Sequence, residues 1–515
     1  MRLDEYISID PNHAHMRPAN SLAIQFGDQT ISYGELCAAI DQTTAFILAD
    51  GKLKHGDRIA YYGMNNPEIF IMLMAAARLG LILVPLNWRL STEELAYQLV
   101  DCTPSWLLFD DAFSDHISTI TDDGALCRSI PIDVANGDYG QPLHELRKDS
   151  TLYDQVFAGS ADDPVLLVYT SGTTGRPKGA LLAQTALIAN AKMSFHAYDM
   201  TADDIILNVL PLFHAGGLNI QPLPALLIGA TLILHQKFDP ADTLATIATK
   251  KVTLINCVPT ILSALVTHEN WQNSDISSLK MVSIGSTDVP RALIDAVHDR
   301  AIPLVQIYGA TETSPIAIYQ TQDHAFATAG SIGKAGILCA IRLVDEQGTD
   351  VPTGTNGEIW VKGDNVLTRY WNNPESTDQA LTDGWFHTGD VARIDENGFY
   401  WFVGRTKHLI ISGGENIYPA ELERILFGHP DLAEFVVIGR DDNKWGAVPV
   451  LVAVRNNVRP PISKQHILDY FDGKLARYKI PKDVVFVDAL PRNSLGKIVT
   501  DKIADLIAKP IQSEF

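Results

Sequence analysis

Apolar and polar positions along this chain follow two rhythms. Compact apolar runs recur at 58–62, 82–86, 106–109, 205–210, 231–234, 254–257, 280–284 and 303–307, and each reads as a buried strand. Between them lie longer segments with helical spacing, at 38–49, 69–79, 93–100, 183–196 and 240–249. Residues 21–36 read as two short strands about Gly27 that lead into a helix. Strands and helices taking turns in this way predict an α/β sheet architecture with helical crossovers. The stretch 134–162 is polar and turn-rich and reads as a surface connection. Later the pattern becomes richer in strands, with hairpin turns expected at 345–348 and 395–398.

The character changes again at Gly404-Arg-Thr-Lys407. Beyond it the pattern gives strands at 409–412, 435–439 and 449–454 and helices at 420–427 and 464–475, enough for a small α+β domain. The predicted organisation is therefore a large, multi-sheet α/β N-terminal domain over 1–404 and a small, mobile α+β C-terminal domain over 405–515. The most apolar long run, 69–86, carries Arg78, Gly80 and Pro85, so it reads as a buried helix followed by a strand and not as a membrane span.

Composition narrows the function. The chain has 515 residues, 46% of them apolar, which is ample for a core. Its formal charge of -21 argues against non-specific nucleic-acid binding and against docking on an acidic membrane. Five scattered cysteines, without metal-ligand or redox spacing, suit reduced thiols and a cytoplasmic location. The N-terminus is acidic and lacks the apolar core of a signal peptide.

The candidate chemistry starts at Tyr169-Thr-Ser-Gly-Thr-Thr-Gly-Arg-Pro-Lys-Gly179. An apolar strand leads into this stretch and a helical segment comes after it, so it reads as strand, loop, helix. Glycines let backbone amides approach an anion, hydroxyls donate hydrogen bonds and lysine adds charge, which is the composition of a polyphosphate-binding loop. It is not the nucleoside-triphosphatase loop. Only two residues separate Gly172 from Gly175, and Gly179 comes after Lys178 where that motif needs Ser or Thr. A solvated Gly/Thr turn is the plainer alternative. A second stretch, Tyr308-Gly-Ala-Thr-Glu312, comes after an apolar strand and supplies an aromatic ring, a hydroxyl and a carboxylate suited to Mg²⁺.

Over those eleven positions the loop resembles the phosphate-binding signature of the adenylate-forming superfamily, which comprises acyl-CoA synthetases, peptide-synthetase adenylation domains and firefly-type luciferases. Tyr33-Gly-Glu-Leu36, Trp385-Phe-His-Thr-Gly-Asp390, the run from Phe402 to Glu423 and Pro491-Arg-Asn-Ser-Leu-Gly-Lys-Ile498 extend the likeness over nearly the whole chain. The resemblance implies ATP, Mg²⁺ and CoA as cofactors. It assigns Thr170, Ser171, Gly172, Thr173, Thr174 and Lys178 to phosphate, and Tyr308, Gly309 and Thr311, with Ser286 and Thr287, to the nucleotide. Glu312 would serve as both catalytic carboxylate and metal ligand, and Asp390 and Arg405 would hold the ribose. Lys497 would be the adenylation lysine and Lys407 the hinge. Ser412, Gly413, Gly414 and Glu415 would form the face that admits CoA. His214 would border the carboxylate and the acyl pocket and would count, with Lys497 and Glu312, among the catalytic residues. Phe213, Gly216, Gly217, Ser283, Gly285, Ala310 and Pro315 would line the acid pocket, with Gly216 and Gly217 leaving room at its wall. Asp288 departs from the family's usual Gly-Ala-Pro run.

The resemblance implies a carboxylic acid–CoA ligase that first forms an acyl-adenylate and then a thioester. Several residues around Tyr308 resemble bacterial feruloyl- and coumaroyl-CoA synthetases, so the expected acid is a hydroxycinnamate such as ferulate or p-coumarate. A medium-chain fatty acid is the alternative; an adenylation domain or a luciferase-like enzyme is more distant, and His214 stands where adenylation domains hold an aspartate. The implied partners are small molecules, with no nucleic acid and no membrane span. The assembly, monomer or homodimer, is left open by the sequence.

Overall fold

A computed structural model describes residues 1–8, 17–121, 127–133, 141–153, 156–170, 177–286, 289–413, 415–442, 444–456, 462–472, 474–492, 498–500 and 502–503. The chain packs as two compact units. The first comprises Met1–Thr287, Leu293–Ile341 and Val361–His387; the second comprises Asp288–Ala292, Arg342–Trp360 and Thr388–Phe515.

In the first unit the strands in chain order are β1 (Leu22–Phe26), β2 (Gln29–Ser32), β3 (Arg58–Tyr62), β4 (Ile82–Leu86), β5 (Trp106–Phe109), β6 (Arg128–Pro131), β7 (Pro164–Thr170) and β8 (Lys178–Ala183). After these come β9 (Ile205–Asn208), β10 (Thr231–Leu234), β11 (Leu254–Cys257), β12 (Met281–Gly285), β13 (Leu304–Tyr308), β14 (Ile318–Tyr319) and β15 (Lys334–Ala335). Two sheets result. One has the order β15-β14-β13-β12-β11-β9-β10-β1-β2; the other runs β8-β7-β4-β3-β5-β6, with a short strand, Arg369–Tyr370, added beyond β8. The expected alternation of strands and helices is present, and most strands pair in parallel.

The unbroken apolar runs have a direct cause: both faces of the second sheet are covered. Ile59 and Tyr61 point into one core while Ala60 and Tyr62 point into another. Trp106 and Leu108 divide from Leu107 and Phe109 in the same way, as do Leu166 and Val168 from Leu167. Period-two alternation puts neighbours on opposite faces, so a strand buried on both must be apolar throughout. The run 69–86 becomes the buried helix Glu68–Leu79 and then β4, as expected. No helix among the described residues is long and apolar enough to cross a membrane.

Three readings need correction. The segment after the Gly/Thr loop is not a helix at once: Lys178–Ala183 forms β8, antiparallel to β7, and the helix Gln184–Tyr198 begins only afterwards. Gly179-Ala-Leu-Leu182 is apolar enough to complete the sheet, so the loop spans a hairpin. The polar stretch 134–162 is not only a surface connection. It carries the helix Leu143–Arg147, with Leu143 and Arg147 buried. The helix expected over 464–475 ends at Asp469.

The second unit holds a C-terminal sheet. Ile410–Ser412, Glu415–Ile417, Leu432–Asp442 and Gly446–Arg455 are antiparallel, and Asp483–Phe486 joins the last of them in parallel. Leu422, Leu426, Ile467 and Phe471 cover one face; Leu490 and Ile503 pack on the other.

Arg147 supports the first unit through a buried ion pair. Its guanidinium donates to both Glu68 oxygens at 2.5 and 2.7 Å and to Thr43 Oγ1 at 3.0 Å. Removing one partner of such a pair leaves a buried charge uncompensated. Arg147→Met is expected to lower stability by about 3–5 kcal/mol, seen as a lower urea midpoint, and Glu68→Gln added to it should recover part of the loss.

Candidate active site

The Gly/Thr loop is suspended from a strand pair. Thr170 lies opposite Lys178, and Tyr169 opposite Gly179, across β7 and β8, so the loop's first hydroxyl and its lysine meet at its base. Thr170 Oγ1 donates to the Lys178 carbonyl at 3.3 Å. Tyr169 anchors the strand end by donating to Asp101 Oδ2 at 2.5 Å. A Cβ on Gly179 would lie 2.7 Å from Leu167 Cδ1, so a larger residue there would have to displace that methyl. Ser171, Gly172, Thr173 and Thr174 lie outside the described residues.

β13 delivers the second stretch. It ends at Tyr308, and a 3-10 turn over Thr311–Thr313 presents Glu312. Thr313 Oγ1 fastens this turn: it accepts from the Ala310 amide at 3.0 Å and lies 3.1 Å from the Pro315 carbonyl. Gly309 runs against the Pro315 carbonyl so closely that a Cβ would overlap it. Tyr370 links the two stretches. Its hydroxyl donates to Glu312 Oε1 at 2.8 Å, and Lys178 Nζ stands 5.6 Å from its ring centroid. Burial, reinforced by the Glu312 carboxylate, pushes the Tyr370 phenol well up, so it stays a donor. The glycine-rich loop's lysine and the candidate metal carboxylate are thus neighbours of one buried tyrosine.

A third group of segments makes a wall. The Phe213 and His214 rings lie with centroids 4.4 Å apart, tilted by 52°, and the short helix Ala215–Asn219 comes next. Two polar residues of the helix Gln184–Tyr198 hold this wall. Asn190 Nδ2 donates to the Asn219 carbonyl at 2.5 Å, while its Oδ1 accepts from the Ile316 amide at 3.0 Å. Ser194 Oγ donates to the Ile220 carbonyl at 2.7 Å. Asn365 Nδ2 donates to the carbonyls of Thr313 and Ile316 at 3.2 and 2.7 Å. Segments 214–221 and 310–316 are therefore tied to the same framework. β12 completes it, since Gly285 is the register partner of Ile307 on β13. Ser286 leaves that strand with φ +83°, an uncommon conformation for a residue with a side chain.

The wall glycines are not equivalent, and the expectation that both Gly216 and Gly217 leave room holds for one of them. A Cβ on Gly217 would overlap the Pro211 carbonyl, and one on Gly285 the Ile307 carbonyl. Gly216 alone of these has space: its Cβ would sit 3.7 Å from Ile220 Cδ1, an ordinary contact.

The remaining candidates belong to the second unit. Asp390 faces Arg405 across two antiparallel strands, with Arg405 Nε 2.8 Å from Asp390 Oδ1. The buried Asp390 amide donates to Thr388 Oγ1 at 3.0 Å. Lys407 is exposed on the 3-10 turn Thr406–His408. Ser412 and Glu415 pair across a hairpin turn, and Gly413 has φ +61°. A Cβ on Gly413 would meet the exposed Trp445 ring at 2.8 Å, and the positive φ favours glycine at that turn. Thr287, Gly414 and Lys497 lie outside the described residues. Sequence reasoning passed over Asn190, Ser194, Asn365 and Tyr370. Asn190 had a signal, as a lone amide within Ala186-Leu-Ile-Ala-Asn-Ala191.

The glycine contrast is testable by thermal denaturation. Gly217→Ala is expected to lower stability by about 1–3 kcal/mol through overpacking, whereas Gly216→Ala should leave the melting temperature close to wild type.

Comparison with known proteins agrees with this geometry. The AMP-binding enzyme family matches residues 11–371, and the AMP-binding enzyme C-terminal domain matches residues 421–497. Curated relatives include an indoleacetate–CoA ligase from Aromatoleum aromaticum, 44% identical over 99% of both chains. A feruloyl-CoA synthase from Amycolatopsis is 38% identical over 95% of this chain and 96% of that one. Among solved structures, o-succinylbenzoate CoA synthetase from Bacillus subtilis with its acyl-adenylate has a TM-score of 0.84 at 31% identity, covering 98% of both chains. ATP-bound MatB from Rhodopseudomonas palustris has a TM-score of 0.87 at 30% identity, over 98% of this chain and 99% of that one. The fold, the family matches and these relatives lead to one conclusion: the chain belongs to the AMP-binding enzyme family and is an ATP-dependent, AMP-forming acid–CoA ligase that uses ATP, Mg²⁺ and CoA.

Proposed function

We propose that the acid is aromatic, with a short carboxylate arm, and that indoleacetate and the hydroxycinnamates ferulate and p-coumarate are the members of that class to test first. The observation that carries this reading is the wall beside His214. Gly216 leaves it open where a side chain would fill it, with the aliphatic Ile220 as its neighbour and the buried polar residues Asn219 and Gln221 on either side of Ile220 in the chain. A flat ring fits such a space and an alkyl chain gains little from its polarity. The two relatives of highest identity described above act, by name, on aryl acids.

The residue roles obey the same logic. The loop from Thr170 to Lys178, including Ser171, Gly172, Thr173 and Thr174, holds the triphosphate, and Glu312, oriented by Tyr370, holds Mg²⁺. Tyr308, Gly309, Thr311, Ser286 and Thr287 border the nucleotide, and Asp390 and Arg405 hold the ribose. A carboxylate oxygen of the acid attacks the α-phosphorus, the bond to pyrophosphate breaks, and Lys497 stabilises the charge that builds there. In the second step the CoA thiol, losing its proton, attacks the acyl carbon and AMP leaves. The 405–515 domain turns about Lys407 between the steps, exchanging Lys497 for the Ser412–Glu415 face.

The experiment is a panel of acids scored by kcat/KM for thioester formation with ATP and CoA. At least one of indoleacetate, ferulate and p-coumarate is expected to exceed hexanoate and octanoate. A higher value for either fatty acid than for every aryl acid would replace this reading with the medium-chain one. With the best acid, Lys497→Ala should impair adenylate formation far more than thioester formation from preformed adenylate; equal loss of both would count against the two-step exchange.

A further inference from the structure

The helix Thr92–Cys102 turns one face to the Gly/Thr loop. Tyr97 and Asp101 lie four residues apart on it and so share that face. Asp101 takes the entrance of the loop: the Tyr169 hydroxyl donates to its Oδ2 at 2.5 Å and lies 3.3 Å from the Gln98 carbonyl. Tyr97 takes the exit, its hydroxyl donating at 3.4 Å to the carbonyl of Pro177, next to Lys178. A third tie runs through the backbone of Asp101. Its carbonyl accepts from Trp371 Nε1 at 3.0 Å and from Asn372 Nδ2 at 3.2 Å, and the Trp371 amide donates to the Gly179 carbonyl at 2.7 Å.

The helix end is itself fixed to the sheet. Arg58 on β3 donates from Nε to the Cys102 carbonyl and from a terminal nitrogen to the Thr103 carbonyl, both at 2.7 Å, so carbonyls that the end of a helix leaves open are satisfied. The same guanidinium lies 5.3 Å from the centroid of the Trp371 ring. Burial pushes the Tyr169 phenol far up, and the Asp101 carboxylate adds to the shift, so Tyr169 stays a donor at neutral pH. A hydrogen bond to an ionised acceptor is among the stronger ones a side chain makes. The three ties land on Tyr169, Pro177 and Gly179, the chain neighbours of Thr170 and Lys178.

We infer that Asp101 and Tyr97 are positioning residues for ATP: they set the separation of the two ends of the loop, and thereby where the Thr170 hydroxyl and the Lys178 ammonium meet the phosphates. Asp101 carries the greater part, because its carboxylate serves one end of the loop and its carbonyl, through Trp371, the other. This rests on the reading of the loop as the triphosphate site and goes beyond it by naming what holds the loop in shape. A binding group displaced by about an ångström loses much of its effect on the reaction. The acyl-adenylate has already lost the β- and γ-phosphates, so the second half-reaction tolerates a loosened loop.

The test uses the full-length enzyme and the acid of highest kcat/KM in the panel above. Asp101→Leu is similar in size but offers no acceptor. In it the KM for ATP, read by pyrophosphate exchange, is expected to rise by about tenfold or more. The KM for the acid and the rate of thioester formation from preformed adenylate should stay within about twofold of wild type. Asp101→Asn keeps an acceptor oxygen and should restore most of the ATP affinity. Tyr169→Phe should reproduce the loss, and added to Asp101→Leu it should cost little more, because the two groups act as one pair. Tyr169→Phe also carries the test should Asp101→Leu fail to fold. An ATP KM unchanged in both single variants overturns the inference. So does equal loss of both half-reactions, or an Asp101→Asn enzyme as impaired as Asp101→Leu. Lys178→Ala separates this from the loop reading on which it rests. An ATP KM that rises there but in neither Asp101→Leu nor Tyr169→Phe refutes the positioning role alone, whereas one unchanged in Lys178→Ala refutes both.

Discussion

The segments that come after His214 and after Glu312 depend on one buried amide. Asn190 sits in the helix Gln184–Tyr198 among small apolar residues, 1% exposed, and spends both ends of its side chain on backbone. One end fixes the carbonyl of Asn219, the other the amide of Ile316. These partners belong to segments separated by about a hundred residues in sequence, one beyond His214 and one beyond Glu312. A buried amide that satisfies two backbone groups leaves neither free to move without stranding a polar atom. Ser194 and Asn365 add further ties of the same kind. Catalysis needs the acid carboxylate and the α-phosphate held in register, and these cross-links fix the wall to which the proposal above assigns the acid.

The charge pattern makes local order necessary. A chain of formal charge -21 must bind a polyphosphate against its own field. It concentrates donors instead. Lys178 stands at the end of a hairpin opposite Thr170, with the Tyr370 ring beside its Nζ, and the Tyr370 hydroxyl holds the Glu312 carboxylate. The Asp390–Arg405 pair repeats the theme in the second unit, where a cross-strand register sets an acid opposite a base.

Much of this was legible in the sequence because it is local. Strands such as Arg58–Tyr62, Ile82–Leu86 and Trp106–Phe109 announce themselves as short apolar runs, since both faces of their sheet are covered. The Gly/Thr loop and Tyr308–Glu312 could be found because their chemistry lies in consecutive residues. What escaped is non-local. Lys178–Ala183 passes for the link between the loop and the 183–196 helix until β7 is beside it. Gly216 and Gly217 look alike as letters, yet the Pro211 carbonyl fills the space at one and not at the other. Tyr370 and Asn190 gain their roles from partners 58 and 126 residues away. No spacing rule within a short window carries that information.

The ties of Asn190 predict an effect on acid binding and none on the nucleotide site. Acid-dependent exchange of pyrophosphate into ATP, measured in wild type and Asn190→Ala with an aryl acid, separates the two most directly. The KM for the acid is expected to rise by about tenfold or more while the KM for ATP stays within about twofold. If both constants rise together, or neither moves, Asn190 does not act through the acid wall, and the dependence of acid binding on this amide is contradicted.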